Sequence, residues 1–351
     1  YGVSGHEWSV RRQVLEALPD WARDRAMVDD LGNIVIEMGP ENDTTVFMAH
    51  MDEVGYEVSE IDAEGIVTLE RIGGPVSSAW EGQTALLHFD PIESPNTRNG
   101  TGTDYSPKWK TQSLSASADP PIKGIFLTRD DPEQKNPDEM RVWFGLDRSN
   151  LRGLGVRKGM AVSSYKQALR MGSTKFVARS LDDRAGSTAL LMAISKINPQ
   201  ALTKKIYFVW SVHEESGHLG ALALSKIIAL GTKRIYSVDT FVSSDTPLES
   251  PHFAYTVLGK GPVLRAIENS GASPFAERNF VIDAANKAGL PLQVGLTQGS
   301  TDGVDFAFWG APNQGLSWPG RYSHSPGEVL DLRDLDNLSK LVVAIALSEE
   351  S

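Results

Sequence analysis

The 351-residue sequence predicts an α/β fold: a mixed central sheet flanked by helices, with a small β-rich domain inserted into it. Three observations lead there. Short, continuously apolar runs recur, each followed by His, Asp or Glu. Helix-spaced stretches lie between those runs. One long stretch, 61–176, breaks the alternation with Gly, Pro and short β-like segments.

The apolar runs come first. Val46-Phe47-Met48-Ala49 leads directly into His50-Met51-Asp52-Glu53, and the run 206–212 leads into His213-Glu214-Glu215. The run 234–238 ends at Asp239, and 314–318 is followed by Arg321-Tyr322-Ser323-His324. Runs apolar on both faces suit central strands covered by helices. Helical stretches at 183–197, 217–229, 275–288, 302–309 and 335–348 supply that cover. A further helix is expected near the start, where Ser4 and Glu7 have capping-box spacing and Val10, Val14, Leu15 and Leu18 share one face. Asp29-Asp30-Leu31-Gly32-Asn33 reads as a hairpin turn before alternating Ile34 and Ile36. The α/β domain is therefore expected at 1–60 and 177–351, with the β-rich insert at 61–176. Within the insert, 83–89 and 140–144 are β-like, and the Ser/Thr/Pro/Asn/Gly-rich stretch 90–122 reads as a long polar loop. No internal repeat interrupts this plan.

Bulk properties narrow the chemistry. A net charge of -11, from 34 basic and 45 acidic residues, argues against nucleic acid or an anionic membrane as a partner. No apolar run approaches the roughly 18–20 residues that span a bilayer. There is no cysteine, which excludes disulfides, thiolate nucleophiles and Cys-based zinc sites. Any metal must be held by His, Asp and Glu. The lack of cysteine suits the cytoplasm, while a start at Tyr1 instead of Met leaves room for a removed leader.

In an open α/β sheet, ligands sit beyond the carboxyl ends of the strands. His50, Asp182 or Asp183, Glu214, Glu215, Asp239 and His324 fall at such ends or beside a helix start, so residues far apart in sequence can converge. Two zinc ions about 3.5–4 Å apart require a shared carboxylate, and a catalytic site needs His and carboxylate ligands with a position left for water. Each residue alone has a bland reading, because a single strand-end His is ordinarily structural and adjacent acids ordinarily face solvent. Both acidic pairs here adjoin apolar segments, where unpaired charge is costly. His213-Glu214-Glu215-Ser216-Gly217-His218 mimics the helical zinc motif His-Glu-x-x-His, but its second His comes one residue late and shares no helix face with the first. His213 and His218 are therefore assigned no ligand role. There is no Gly-x-Ser-x-Gly elbow and no Walker loop, and Gly153-Leu154-Gly155 lacks a dinucleotide setting.

Taken together, eight stretches resemble the glutamyl or tetrahedral (TET) aminopeptidases, metallopeptidase family 42, of the co-catalytic dizinc exopeptidase clan. They are Ser4-Gly5-His6-Glu7, Asp30-Leu31-Gly32-Asn33, Ala49-His50-Met51-Asp52-Glu53-Val54-Gly55, Leu181-Asp182-Asp183-Arg184-Ala185-Gly186, Glu214-Glu215-Ser216-Gly217, Val238-Asp239-Thr240, Gly299-Ser300-Thr301-Asp302 and Arg321-Tyr322-Ser323-His324-Ser325-Pro326. They follow the family's order along nearly the whole chain. The resemblance implies two divalent metal ions per subunit, zinc or else cobalt or manganese. His50 and Asp239 would be terminal ligands of one ion, and Glu215 and His324 of the other. Asp182, in preference to Asp183, would bridge them. Glu214 would be the general base, and Asp52 would hold the free ring nitrogen of His50. Arg321 and Asp302 lie in the motifs with structural roles equally open.

The resemblance further implies cleavage of the N-terminal residue from peptide substrates. It implies a zinc-exopeptidase-like fold whose inserted barrel- or PDZ-like domain mediates dimerisation, and homo-oligomers ranging from dimers to a tetrahedral dodecamer. Three features depart from the family pattern: the length and polarity of 90–122, Phe144-Gly145-Leu146-Asp147 in place of an Asp-x-Gly turn, and Ser300 in place of a second Gly. The first two bear on the oligomer. Competing readings are a carboxypeptidase or deacylase of the same clan, a glycosidase with paired carboxylates, and a non-catalytic metal-stabilised scaffold.

Overall fold

The computed structural model describes all residues except 42, 91–119, 131–132, 134–136, 138, 246–253 and 349–351. The four apolar runs form four parallel neighbours. The strand Thr44–His50, buried throughout, pairs in parallel with Lys205–Ser211 on one side and Thr232–Val242 on the other. Thr232–Val242 pairs in parallel with Asn313–Gly320. Strands at the flanks run antiparallel to these neighbours: Ile34–Met38 beside Lys205–Ser211, and Val263–Glu268 beside Asn313–Gly320. The sheet is therefore mixed, with nine strands among the described residues.

The two-residue period of a strand explains why these runs are apolar without alternation. Phe47, Ala49, Phe208, Trp210, Tyr236 and Val238 pack on one face, beneath helices Leu181–Ile194, Phe275–Lys287 and Leu332–Leu347. Val46, Met48, Val209 and Ile235 pack on the other, with Ala221 and Leu224 of helix Leu219–Ile228 and Phe306 of helix Val304–Ala307. Among the described residues, no helix is long and apolar enough to cross a membrane.

The first helix, Trp8–Ala17, buries Val10, Val14 and Leu15 as its spacing predicts, but the capping box does not form. Ser4 and Glu7 are recruited elsewhere. Ser4 Oγ lies 2.6 Å from Ser216 Oγ, and the Glu7 carboxylate accepts from the amides of Gly5 and His213 at 2.7 and 3.2 Å. The same two residues thus pin the chain start to the loop that carries Glu214 and Glu215.

Six strands close into a barrel: Gly55–Ile61, Ile66–Ile72, Thr84–Leu87, Ile122–Phe126, Glu139–Trp143 and Ala161–Ser164. Tyr56, Trp80 and Phe126 stack at its centre, with edge-to-face ring pairs 5.3 Å apart on either side of Trp80. The barrel begins at Gly55, ahead of the compositional break at residue 61. Lys175–Ala178 instead pairs with Glu328–Asp331 in a small separate sheet. Most of the polar stretch expected at 90–122 lies outside the described residues.

Candidate metal centre

Strand register brings the chemistry together. Met48 faces Ser237 across the parallel pair, so His50 and Asp239, each two residues further on, stand level at the same edge. Ser211 is paired with His50 on the other side, and the chain leaves that strand into Glu214 and Glu215. Asp52 shapes this turn: its buried carboxylate accepts the amides of Glu214 and Glu215, both at 3.0 Å. Glu328 performs the same service for two other loops, accepting Asp182 N at 2.9 Å and His324 N at 2.8 Å. Among the described residues, the non-glycine ones with left-handed backbone are Ser180, His213, His218, Tyr322 and His324, every one beside this cluster. Such conformations cost energy and persist where surrounding contacts over-determine them.

Asp182 stands between two imidazoles. Its Oδ1 is 3.4 Å from His50 Nε2, and its Oδ2 is 3.5 Å from His324 Nε2. Asp239 Oδ1 lies 3.9 Å from His50 Nε2, and Glu215 Oε1 lies 3.2 Å from His324 Nε2. The donor atoms of His50, Asp182 and Asp239 all fall within 4.8 Å of one another, as do those of Asp182, Glu215 and His324. His50, Glu214 and Glu215 form a third such grouping. Glu215 Oε1 is buried with no hydrogen-bond donor, a position that a cation satisfies. Imidazole nitrogen and carboxylate oxygen are the donors that zinc and its first-row neighbours accept. The residues fit a divalent metal.

The far side of each ring is anchored. His324 Nδ1 donates to the Gly74 carbonyl at 3.0 Å, and His50 Nδ1 lies 3.2 Å from the Asp52 carbonyl oxygen. The Asp52 carboxylate is also 3.5 Å from that nitrogen, so Asp52 serves both the ring and the Glu214–Glu215 turn. These contacts turn both Nε2 atoms toward the cluster. Burial opposes charge on His50, but Glu214, Asp182 and Asp52 outweigh it and hold its pKa well above 6.5. His324 is raised likewise by Glu215 and Asp182, against its own burial. Burial favours the neutral form of Asp182, yet the hydrogen bond from His50 and the charge of His324 bring its pKa down to about 2. Asp239 goes the other way: burial, with Asp182 and Glu214 nearby and only Arg265 opposing strongly, raises it well above the carboxylate range. So many acids gathered in one buried place favour a cation among them, because ionised carboxylates that are buried together need compensating positive charge.

Asp183 faces away from this centre. Its Oδ1 accepts from Trp318 Nε1 and from Gly186 N, both at 3.0 Å, which closes the first turn of the helix behind. His213 contacts Ser216 and stays off the cluster, and Arg321 pairs with Asp245 at 3.0 Å. Five contributors escaped the sequence reading or were given no firm role by it. Glu328 joins the Asp182 and His324 loops. Ser323 Oγ donates to Asp182 Oδ2 at 2.7 Å, and Arg265 lies 3.4 Å from Asp239 Oδ2. Asp302 accepts from Ser211 Oγ at the sheet edge. His218 Nε2 lies 3.3 Å from Glu214 Oε1. His218 left a signal in its spacing, four residues after an acid, while Ser323 and Asp302 lie inside the motif stretches without a role read from them. A cavity of about 580 Å³ opens over the cluster, bounded by Asp182, Glu214, Glu215 and His324 with Thr240 and Ser300.

Comparison with known proteins adds the family. The M42 glutamyl aminopeptidase model matches residues 32–98 and 117–341. Lysyl aminopeptidase of Pyrococcus furiosus is 28% identical over 354 residues, spanning 98% of this chain and 93% of that protein. The TET1 peptidase of Pyrococcus horikoshii, which can assemble into a tetrahedron or a large octahedral shell, is 26% identical with a TM-score of 0.82, covering 99% of this chain and 96% of that one. An aminopeptidase from the archaeon Desulfurococcus kamchatkensis superposes with a TM-score of 0.83 at 25% identity, over 99% and 92% of the two chains. A peptidase by this kinship, the chain belongs to the M42 glutamyl aminopeptidase family.

Proposed function

We propose that this peptidase is a dinuclear metal aminopeptidase that hydrolyses the N-terminal peptide bond of peptides, with Glu214 as its general base. The observation that carries the reading is Asp182, whose two oxygens each face a different histidine at 3.4 and 3.5 Å. His50, Asp182 and Asp239 would hold one ion, and Asp182, Glu215 and His324 the other. Such ions polarise a carbonyl and bring the pKa of bound water toward neutrality.

The chain's own residues do the rest. Glu214 belongs to neither ligand set, yet its Oε2 comes within 3.9 Å of His50 Nε2 at the edge of the cluster. From there its carboxylate can accept a proton from attacking water and return it to the leaving amine. The carboxylates of Asp182, Glu214 and Glu215 line the cavity, where they favour a peptide's free α-ammonium over a blocked N-terminus. The barrel supplies the dimerisation surface of a homo-oligomer in the same reading.

One preparation tests these points. Glu214→Gln is expected to keep two metal equivalents per chain while hydrolysis of aminoacyl-nitroanilides falls at least about 100-fold. Unchanged turnover would remove Glu214 from its role, and one equivalent or none in the wild type would remove the dinuclear centre. Preference for N-blocked analogues would turn the reading toward a deacylase, and elution of the 38.2 kDa chain as a monomer would end the assembly.

A further inference from the structure

We infer that His218, backed by Asp305, is a positioning residue that holds the Glu214 carboxylate in the orientation its proton transfer requires. The inference rests on the assignment of Glu214 above. It begins with the backbone. The amides of Gly217 and His218 both reach the Glu214 carbonyl, at 3.1 and 3.2 Å, closing a tight turn that brings residue 218 back beside residue 214. The chain then reverses at His218, whose φ of 56° is left-handed, before helix Leu219–Ile228 starts. Glycine meets such a conformation without steric cost, so the turn itself gives no reason for histidine.

The side chain supplies one. His218 Nε2 lies 3.3 Å from Glu214 Oε1, and its Nδ1 lies 3.6 Å from Asp305 Oδ2 on helix Val304–Ala307. Asp305 Oδ2 is buried with no hydrogen bond of its own, which leaves the imidazole as the group it faces. Asp305 and Glu214 raise the pKa of His218 to about 11 against the effect of burial, so the ring is cationic and both neighbours attract it. The two oxygens of Glu214 are thereby divided. Oε1 is turned to His218, and Oε2 to the cluster, 3.9 Å from His50 Nε2. A carboxylate on a two-carbon stem otherwise rotates freely, and proton transfer is sensitive to misplacements of an ångström. His218 also lines the 580 Å³ cavity, so it acts where substrate binds without belonging to either ligand set.

The metal-loaded enzyme tests this with kcat, KM and metal content measured together. His218→Ala is expected to lower kcat about 10–100-fold, with KM and metal content within about twofold of wild type. His218→Gln, whose amide can still donate to Oε1, recovers most of the loss. His218→Gly, free of strain at this backbone position, repeats the alanine result if alanine disturbs folding. In a Glu214→Gln background, removing His218 costs less than about threefold more, because the group it orients is already gone. Full kcat in His218→Ala, a loss carried by KM, a loss of metal, or multiplicative losses in the double variant would each overturn the inference. An active Glu214→Gln would instead overturn the assignment of Glu214, and the two failures are told apart in one series.

Discussion

The closed barrel and the carboxyl edge of the central sheet are both lined by buried side chains, but of opposite kinds. In the barrel, Tyr56, Val58, Leu69, Phe126 and Val142 are at most 1% exposed and make an apolar core. At the sheet edge, His50, Asp52, Asp182 and Asp239 are at most 6% exposed, and every one carries a titratable group. Apolar burial stabilises by removing surface from water, whereas buried charge is a net cost unless partners or cations offset it. The difference assigns the two regions different tasks. The barrel contributes stability, and the sheet edge holds an arrangement that the rest of the fold must stabilise.

The largest expected effect tests the barrel. Phe126 packs edge-to-face on Trp80 and against Tyr56, so Phe126→Ala opens a cavity and costs about 3–5 kcal/mol. Denaturant unfolding reads the loss, and turnover per folded molecule should stay within about threefold. A fall in turnover as deep as that of Glu214→Gln, with stability unchanged, would reverse the division of labour.

The next effect tests the charged edge through pH. Burial raises Asp302 to about 7, with Glu214 adding to it, and raises Glu328 to about 8, with Asp182 adding to it. For an acid with a raised folded pKa, stability is full below the unfolded value and declines as pH rises to the folded one. The window here runs from about 4 to 8. His50 and His324 have raised pKa values too, and a histidine so raised likewise loses its contribution above 6.5. Asp182, lowered to about 2, changes only below its ordinary 3.8 and leaves this window alone. The metal-free protein should therefore lose stability on going from pH 5 to 8, by at least about 2 kcal/mol. The metal-loaded protein should lose much less, and metal affinity should rise with pH as bound protons are displaced. Thermal unfolding of both forms at the two pH values measures it. Equal pH dependence with and without metal would show that protons and cations do not share this site.

The same contrast explains what could be read from the sequence. A strand covered on both faces is apolar at every position, so 46–49 and 206–212 announce themselves, and the polar residues that follow mark the sheet edge. The barrel's first strand, Gly-Tyr-Glu-Val-Ser-Glu-Ile at Gly55–Ile61, mixes polar with apolar residues and precedes the change in composition. Its closure depends on register between strands distant in sequence. Asp182 and Asp183 are chemically alike and adjacent, and only the Trp318 donor at one and the His pair at the other tell them apart. Ser4 and Glu7 match a capping box locally, but tertiary partners at 213 and 216 took both side chains. Glu328 makes its contribution through two backbone amides, which no side-chain motif records.

The smallest effect lies where the two regions meet. His50 leaves a central strand and its side chain is 3% exposed, while the side chain of His324 is 31% exposed on a loop. That loop leans on the barrel side of the molecule. Gly74 accepts from the His324 ring, and Trp80 Nε1 and the Val76 amide both donate to the His324 carbonyl, at 3.1 and 3.0 Å. In the proposed dinuclear centre, the ion that Glu215 and His324 would hold should therefore be the weaker of the two. Trp80→Phe keeps the ring in the barrel core and removes one donor, and the Val76 amide still satisfies the carbonyl. The cost in stability is about 0.5–1.5 kcal/mol. Support of this kind behind a metal ligand is worth about 10–100-fold in affinity, and the lower end suits a contact made through the backbone. Competition with a chelator should show one of two ions released about tenfold more readily and the other unchanged. If both weaken together, the barrel supports the whole centre, and the separation between a stabilising region and a reactive one does not hold at this contact.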